Sequence, residues 1–118
     1  MHTQEVGKFG ENLACKYLRK KGYSIVETNY RTKIGEIDIV AIKNRKYIFV
    51  EVKTKTSDLK GKPYEHVNSS KVSKFKRIVN MYLLDRKLNA PFQLDVISIE
   101  LGFDNNIERL QHFENITF

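Results

Sequence analysis

Apolar residues recur along the chain with two periods, one typical of helices and one typical of strands. Spacings of three and four residues predict a helix from about Glu5 to Lys21 and a second helix that begins near Asn68 or Ser69. Short segments rich in Val, Ile and Phe predict five strands, which are residues 23–27, 35–42, 47–53, 92–101 and 107–113. The order helix, three strands, helix, two strands predicts an α/β domain with a mixed central sheet flanked by helices.

The second and third predicted strands are joined by a polar break, Lys43-Asn44-Arg45-Lys46, which suits a tight hairpin. A two-residue turn at Asn44-Arg45, or an even loop of four residues, pairs Ile42 with Tyr47. This pairing fixes the register of the whole hairpin, because each later pair follows by counting along the two strands.

Four charged residues interrupt these two apolar strands. The register sets Asp38 opposite Glu51 and Glu36 opposite Lys53. Opposed side chains point the same way, so the four gather on one face with Val40, Ile42, Tyr47 and Phe49. Two opposed carboxylates repel each other, whereas a bound Mg²⁺ ion reverses the sign of that interaction. The alternative is a solvated hairpin face on which Glu36 pairs with Lys53; the apolar neighbours favour the metal site.

Composition and charge fit a small protein with a polyanionic partner. The 118 residues suffice for one core, which predicts a single domain over residues 1–118. The formal net charge of +7 favours a polyanionic partner; the alternative is a basic surface that serves solubility alone. The single cysteine, Cys15, fits a reducing cytosol. No apolar run has membrane-spanning length and residues 1–5 lack a signal-peptide core, so we expect a cytoplasmic protein without a membrane partner.

Six short motifs follow one another over nearly the whole chain. They are Gly7-x-x-Gly10-Glu11-x-x-Ala14, Asn29-Tyr30-Arg31, Gly35-Glu36-Ile37-Asp38, Phe49-Val50-Glu51-Val52-Lys53-Thr54, Lys71-x-x-Lys74-x-x-Arg77 and Phe92-Gln93-Leu94-Asp95-Val96-Ile97. Asp38 followed by Glu51-x-Lys53 resembles the PD-(D/E)xK nuclease superfamily, and the ordered set resembles its UPF0102 (YraN-like) branch, which is similar to archaeal Holliday-junction resolvases. Ile37 stands where the superfamily name has a proline, which is not a ligand.

The resemblance implies a restriction-endonuclease-like core and a site for Mg²⁺, with Mn²⁺ as an alternative ion. Asp38 and Glu51 are the implied metal ligands, and the backbone carbonyl of Val52 is a third. Lys53 is expected beside the attacking water or the charge that develops on phosphorus. The implied activity is hydrolysis of phosphodiester bonds in branched or nicked DNA during repair or recombination.

Three further acids are expected near this site with less direct roles. Glu11 is expected to reach the metal through water, as a glutamate from the first helix does in resolvase-like relatives; the alternative is an ordinary surface glutamate. Glu36 is expected to tune Lys53 or to bind a second cation. Asp95 interrupts the most apolar strand, where an unpaired carboxylate is costly, so Arg31, Lys53 or the metal is its expected partner. A structural role for Asp95 is favoured over a catalytic one.

Basic residues follow the hairpin and the loop predicted from Thr56 to Val67. Lys71, Lys74 and Arg77 share one face of the second helix, and together with Lys55 they are expected to contact a phosphate backbone. The alternative for these residues is a solvated helix face.

Two other classes of protein compete with a nuclease. One is a nucleic-acid-binding module of the same fold without catalysis, and the other is an RNA-binding or adaptor domain in which the acids are structural. The intact acidic pair and lysine favour the nuclease, because a pure binder has no use for opposed carboxylates near phosphate. The resolvase analogy suggests a homodimer.

Overall fold

Two helices flank a five-stranded sheet in the computed structural model of the protein, which describes residues 3–56 and 69–116. The elements are α1 (Thr3–Lys20), β1 (Ser24–Thr32), β2 (Gly35–Lys43), β3 (Lys46–Thr56), α2 (Ser69–Asp85), β4 (Phe92–Leu101) and β5 (Ile107–Phe113). The predicted element order is confirmed, although β1 continues to Thr32 instead of ending at Glu27. Beyond Thr56, the predicted loop lies outside the described residues, as does Asn68.

The strands lie in the order β1-β2-β3-β4-β5. Neighbouring strands are antiparallel except β3 and β4, which are parallel, with α2 between them in the chain. A mixed sheet between two helices is the restriction-endonuclease-like architecture that the sequence predicts. Within the described residues, no helix is long and apolar enough to cross a membrane.

The β2–β3 hairpin has the predicted register. Asn44 and Arg45 both have left-handed backbones, with φ of 52° and 64°, which is the conformation of a two-residue turn. The turn pairs Ile42 with Tyr47, as predicted, and the ladder continues to the pair Ile39–Val50. The Asp38–Glu51 position follows directly after this last pair.

Each face of the sheet is covered by one helix and its own apolar cluster. The α1-side cluster consists of Ala14, Cys15, Leu18, Tyr23, Ile39, Ala41, Ile48, Val50, Ile97, Ile99 and Leu101. The α2-side cluster consists of Ile37, Val40, Phe49, Val72, Phe75, Ile78, Val79, Tyr82 and Leu94. Tyr47 packs against the α2-side cluster, so three of the four apolar residues expected beside the acids lie on the α2 side of the sheet.

Strands β1 and β2 bend at the position of Asp38. Asn29, in the middle of β1, has a left-handed backbone with φ of 56°, and it faces Asp38 between the pairs that Ile37 and Ile39 form with β1. Regular alternation would put Ile37 and Ile39 on one face, yet they belong to opposite clusters. The regular alternation of side chains between the α1 and α2 sides of β2 is therefore broken at Asp38.

Candidate active site

A pocket of about 720 Å³ lies between the beginnings of α1 and α2, where β2 leaves β3. Its charged lining residues are Glu11, Glu36, Asp38, Glu51, Lys53, Lys71 and Lys74. The structure therefore brings together four of the five acids of the predicted site, all but Asp95, along with the predicted lysine and two residues of the basic helix face.

Asp38 is buried at the point where the β2–β3 ladder ends. Only 9 % of the residue is exposed, and its Oδ2 accepts a hydrogen bond from the Val52 backbone N–H at 2.7 Å. The carboxylate thus takes the place of the backbone acceptor that β2 no longer supplies beyond Ile39. This contact fixes Asp38 beside β3 rather than in solvent.

The backbone of Val52 offers a second oxygen at the same place. The N–H and C=O of one residue in an extended strand project to the same side, and the Val52 N–H projects toward Asp38. Its carbonyl oxygen therefore also projects toward β2, past the end of the ladder. Two oxygen atoms on adjacent strands, one charged and one neutral, are ligands that Mg²⁺ prefers, and they fit the predicted pair of contacts.

The charged form of Asp38 is unfavourable in the metal-free protein. The pKa of Asp38 is raised to about 7, mainly by burial; the Val52 N–H lowers it, and the neighbouring charges of Glu11, Glu51 and Glu36 contribute to the rise. Burial and the charge of Glu36 also raise the pKa of Glu11. The pocket therefore lacks enough positive charge to balance its own carboxylates, which a divalent cation would supply.

Helix α1 reaches this pocket because Gly10 lies almost against β3. A Cβ on Gly10 would overlap the Thr54 Oγ1 and would lie 2.9 Å from the Thr54 Cβ. The packing leaves the buried Thr54 Oγ1 without a hydrogen-bond partner among the described residues, a cost that the close approach imposes. Its consequence is that Glu11, the next residue, lies beside the side chains of Asn29 and Asp38, which both lower its pKa.

The carboxylates are not all close enough to share one ion directly. Glu11, Asp38 and Glu51 do not form a group whose ligand oxygens all lie within 4.8 Å, within the part of the chain that the structure describes. Two oxygens bound to one Mg²⁺ lie at most about 4.2 Å apart, because each Mg–O distance is about 2.1 Å. In this arrangement one ion contacts at most two of the three acids directly, and the third would reach it through water.

Lys53 and Glu36 have ion-pair partners within the site. The Lys53 Nζ lies 3.8 Å from the Glu51 Oε1, and the lysine side chain is 20 % exposed. The Glu36 Oε2 lies 3.2 Å from the Arg31 Nε, which donates a hydrogen bond to it. The Lys53 ammonium therefore lies beside Glu51, a predicted metal ligand. Arg31, which was not predicted as a site residue, lies at the margin of the site.

The basic face of α2 is only partly within the pocket. Lys71 and Lys74 line it, whereas Arg77 and Lys55 do not, although all four were predicted to bind phosphate. The helix is held against the hairpin at Gly35, where a Cβ would lie 2.8 Å from the Ile78 Cδ1. Gly35 also has φ of 152°, so a side chain there would strain the backbone.

Asp95 lies apart from the pocket, fully buried on the α1 side of β4. Its Oδ1 accepts hydrogen bonds from the Gln93 Nε2 and the Asn115 backbone N–H, both at 2.9 Å. Its Oδ2 lies 2.7 Å from the His112 Nε2, and the His112 Nδ1 lies 2.9 Å from the Tyr17 hydroxyl. These residues form a chain of hydrogen bonds that runs from β4 to α1.

The structure corrects the expectation that Asp95 supports the metal site, since its partners are not Arg31, Lys53 or a metal in the pocket. Side chains alternate along β4, and this alternation turns Asp95 toward α1. Asp95, His112 and Glu114 form a group whose ligand atoms lie within 4.8 Å of one another. Both carboxylate oxygens of Asp95 and both ring nitrogens of His112 already have partners, so the role is structural, as the sequence favoured.

Asn29 is the residue of this site that sequence reasoning missed. It belongs to a motif of the chain, Asn29-Tyr30-Arg31, but no role follows from that motif alone. Asparagine tolerates a left-handed backbone better than other residues with a Cβ, which is the one signal that it carries in an otherwise regular strand.

Comparisons with known proteins match nearly the whole chain. The model of the uncharacterised protein family UPF0102 matches residues 10–99. A UPF0102 protein of Alkaliphilus metalliredigens is 41 % identical over 98 % of this chain and 99 % of its own length. UPF0102 proteins of Alkaliphilus oremlandii and Thermotoga maritima are each 42 % identical, over 96 % and 92 % of this chain and 97 % and 94 % of their own lengths. These names carry no activity, so a function has to be argued from the site.

Proposed function

The chain belongs to the UPF0102 family, and we propose that it is a metal-dependent endonuclease that hydrolyses phosphodiester bonds in branched or nicked DNA. The observation that carries this proposal is the set of carboxylates around buried Asp38, with Lys53 beside them and two α2 lysines on the pocket wall. Acids that raise one another's pKa in a cleft are typical of functional sites.

Asp38, Glu51 and the Val52 carbonyl would hold Mg²⁺, or Mn²⁺ in its place, because these ions prefer oxygen ligands. The chemistry that the ion supplies is polarisation of a phosphoryl oxygen and a lower pKa for its bound water. Lys53 stabilises the negative charge that develops on the phosphoryl group, since its ammonium stands next to Glu51. Glu11 holds a water molecule in place from the α1 side.

The basic residues bind and orient the substrate. Lys71 and Lys74 line the wall opposite Glu11, so a phosphate backbone that they bind passes over the acids. Branched or nicked DNA is the proposed substrate because of the resemblance to resolvases, and the same resemblance supports a homodimer and a role in repair or recombination.

The alternative is a nucleic-acid-binding module without catalysis. The net charge of +7 and the exposed Lys74 and Arg77 would serve such a module equally well. It would, however, gain nothing from the buried Asp38, whose charge repels a bound phosphate. The geometry therefore favours the enzyme.

The test is cleavage of end-labelled duplex, flap, nicked and four-way-junction DNA in Mg²⁺, Mn²⁺ or EDTA. We expect the wild type to nick at least one branched substrate with metal and none in EDTA. Asp38→Asn, Glu51→Gln and Lys53→Met should each lower the rate by about 10²–10⁴-fold, as expected when a ligand or charge-stabilising group is lost. Asp85→Asn, an exposed acid at the far end of α2, is the matched control and should cleave normally.

Thermal melting separates the roles of these residues. Mg²⁺ should raise the melting temperature of the wild type and of Lys53→Met, because a ligand stabilises the state that it binds. It should have no effect on Asp38→Asn. A wild type that shows neither metal stabilisation nor nicking on any substrate would instead support the non-catalytic binding module.

A further inference from the structure

Asn29 has a strained backbone at a position where the strand itself does not require one. The residues before and after it, Thr28 and Tyr30, are paired with β2. The left-handed φ of 56° at Asn29 therefore falls within a ladder that continues on both sides. Single residues held in sparsely populated backbone regions cost free energy and cluster at functional sites. The position of this one is directly opposite Asp38, at the bend that exposes Asp38 to the pocket.

The side chain of Asn29 makes its contact within the acid group. Asn29 faces Asp38 across the β1–β2 ladder, and Asp38 lines the pocket together with Glu11. Both side chains lie beside the Glu11 carboxylate and lower its pKa, which is the effect of a donor on a carboxylate. Glycine would adopt the same backbone at lower cost, but it has no side chain to donate. A cation in place of Asn29 would donate as well, but its charge would compete with a metal ion for the carboxylates. An amide donates without adding charge.

We propose that Asn29 is a positioning residue, whose left-handed backbone directs its amide to Glu11 and so holds that carboxylate beside Asp38. The proposal rests on the proposed function for its chemical purpose, which is to present Glu11 to the metal's water shell. Hydrogen-bond donors that orient the groups around a metal affect its affinity by about 10–100-fold. Asn29 acts only through Glu11 and does not touch substrate.

The first experiment tests the link between Asn29 and Glu11 without metal. Melting temperatures are measured in EDTA for Asn29→Gly, Glu11→Ala, the double variant and the wild type. Asn29→Gly keeps the left-handed backbone available and removes only the amide, so the fold should survive. If the amide holds Glu11, the two single shifts should fail to add by about 2–5 °C. Shifts that add within about 1 °C would overturn the proposal.

The second experiment tests whether this link matters to metal binding. Titration calorimetry with Mn²⁺ should give an affinity about 10-fold lower for Asn29→Gly than for the wild type. Asn44→Gly is the matched control, because Asn44 has the same left-handed backbone, with φ of 52°, but lies in the β2–β3 turn. Its Mn²⁺ affinity should equal that of the wild type.

The outcomes separate this proposal from the proposed function. If the wild type binds Mn²⁺ and Asn29→Gly binds it equally well, Asn29 does not position the metal site. If the wild type binds no Mn²⁺, the metal-dependent nuclease fails, and the melting temperatures in EDTA still decide whether Asn29 holds Glu11. Non-additive shifts together with a 10-fold loss of affinity specific to Asn29→Gly would support both.

Discussion

Asp38 and Asp95 are buried carboxylates in strands of the same sheet, and their surroundings are opposite in kind. Asp95 is fully buried and has three partners, two N–H donors and the ring of His112. Asp38 accepts one backbone hydrogen bond, and its pKa is raised by burial and by the carboxylates around it. Both acids interrupt apolar strands, so their burial alone does not distinguish them.

The difference separates a buried acid whose hydrogen bonds stabilise the fold from one that is poorly satisfied and lies in the proposed active site. A buried polar group is tolerated when its hydrogen bonds are complete, and the network around Asp95 meets that condition. Asp38 is unfavourable when charged, and the proposed Mg²⁺ ion would remove that cost. The fold therefore depends on Asp95, whereas Asp38 costs the metal-free fold stability.

The largest loss of stability is expected when Asp95 is removed, and it tests the contrast directly. Asp95→Ala leaves the His112 Nε2, the Gln93 amide and the Asn115 N–H without an acceptor in the core. We expect the free energy of unfolding to fall by about 3–5 kcal/mol, as when a buried charged partner is removed. Urea unfolding in EDTA measures it. Asp95→Asn, which keeps one acceptor oxygen, should cost less.

The contrast between Asp38 and Asp95 would break if Asp95 also supported the metal site. A melting-temperature rise with Mg²⁺ that persists in Asp95→Asn would agree with the structural role. Loss of that rise, with the fold retained, would instead show that the two carboxylates belong to one functional unit.

The sequence was sufficient to predict the Asp38 side of this comparison because the relevant pairing is local. A two-residue turn at Asn44-Arg45 fixes the register as far as the pair Ile39–Val50, and Asp38 and Glu51 are the next residues along the two strands. The meeting of Glu11 with these strands came from the family resemblance instead. Periodicity places Glu11 only at the margin of a helix face.

The Asp95 side was not predictable, because its partners are distant in sequence. His112 follows 17 residues later and bonds to Tyr17, which lies 95 residues away. No periodic pattern encodes such pairs. The partners expected for Asp95 were therefore the charged groups of the predicted site, Arg31, Lys53 or the metal. The bend at Asn29 was not predicted for a related reason. A left-handed residue inside a strand depends on the side chains that surround it in the folded protein, and these are distant in sequence.

A second prediction concerns the pH dependence of stability in EDTA. The pKa of Asp38 is about 7 in the folded protein and near its ordinary value of 3.8 after unfolding. Between these values the folded state keeps a proton that the unfolded state releases, so stability falls as the pH rises from about 4 to 7. We expect a loss on the order of 3 kcal/mol over this range.

Asp38→Asn should remove most of that slope, because its side chain does not ionise. At pH 8 the variant should be more stable than the wild type without metal, although it cannot be stabilised by Mg²⁺. Urea unfolding at several pH values, for both proteins, makes the comparison. A wild type whose stability is flat between pH 4 and 7 would mean that Asp38 is as well satisfied as Asp95.

The smallest expected effect per residue is on DNA affinity, and it comes from the basic face of α2 beside the acid pocket. Replacing Lys71, Lys74 and Arg77 with glutamine removes three cations, two of which line the pocket. If all three contact phosphates, the slope of log affinity against log salt concentration on duplex DNA should become shallower by about 2.7, since each contact contributes about 0.9. Fluorescence anisotropy in EDTA measures binding without cleavage.

The control removes the same charge beside the other carboxylate. Lys16, Arg19 and Lys20 are exposed on the half of α1 that carries Tyr17, the residue at the end of the Asp95 hydrogen-bond chain. Glutamine at these three positions changes the net charge equally, so a general loss of attraction would weaken binding equally in both triple variants. We expect the salt slope to change only for the α2 variant, because Lys71 and Lys74 line the pocket of the proposed active site and none of the α1 cations does. Equal slopes for both variants would mean that the α2 lysines supply net charge rather than a path for DNA.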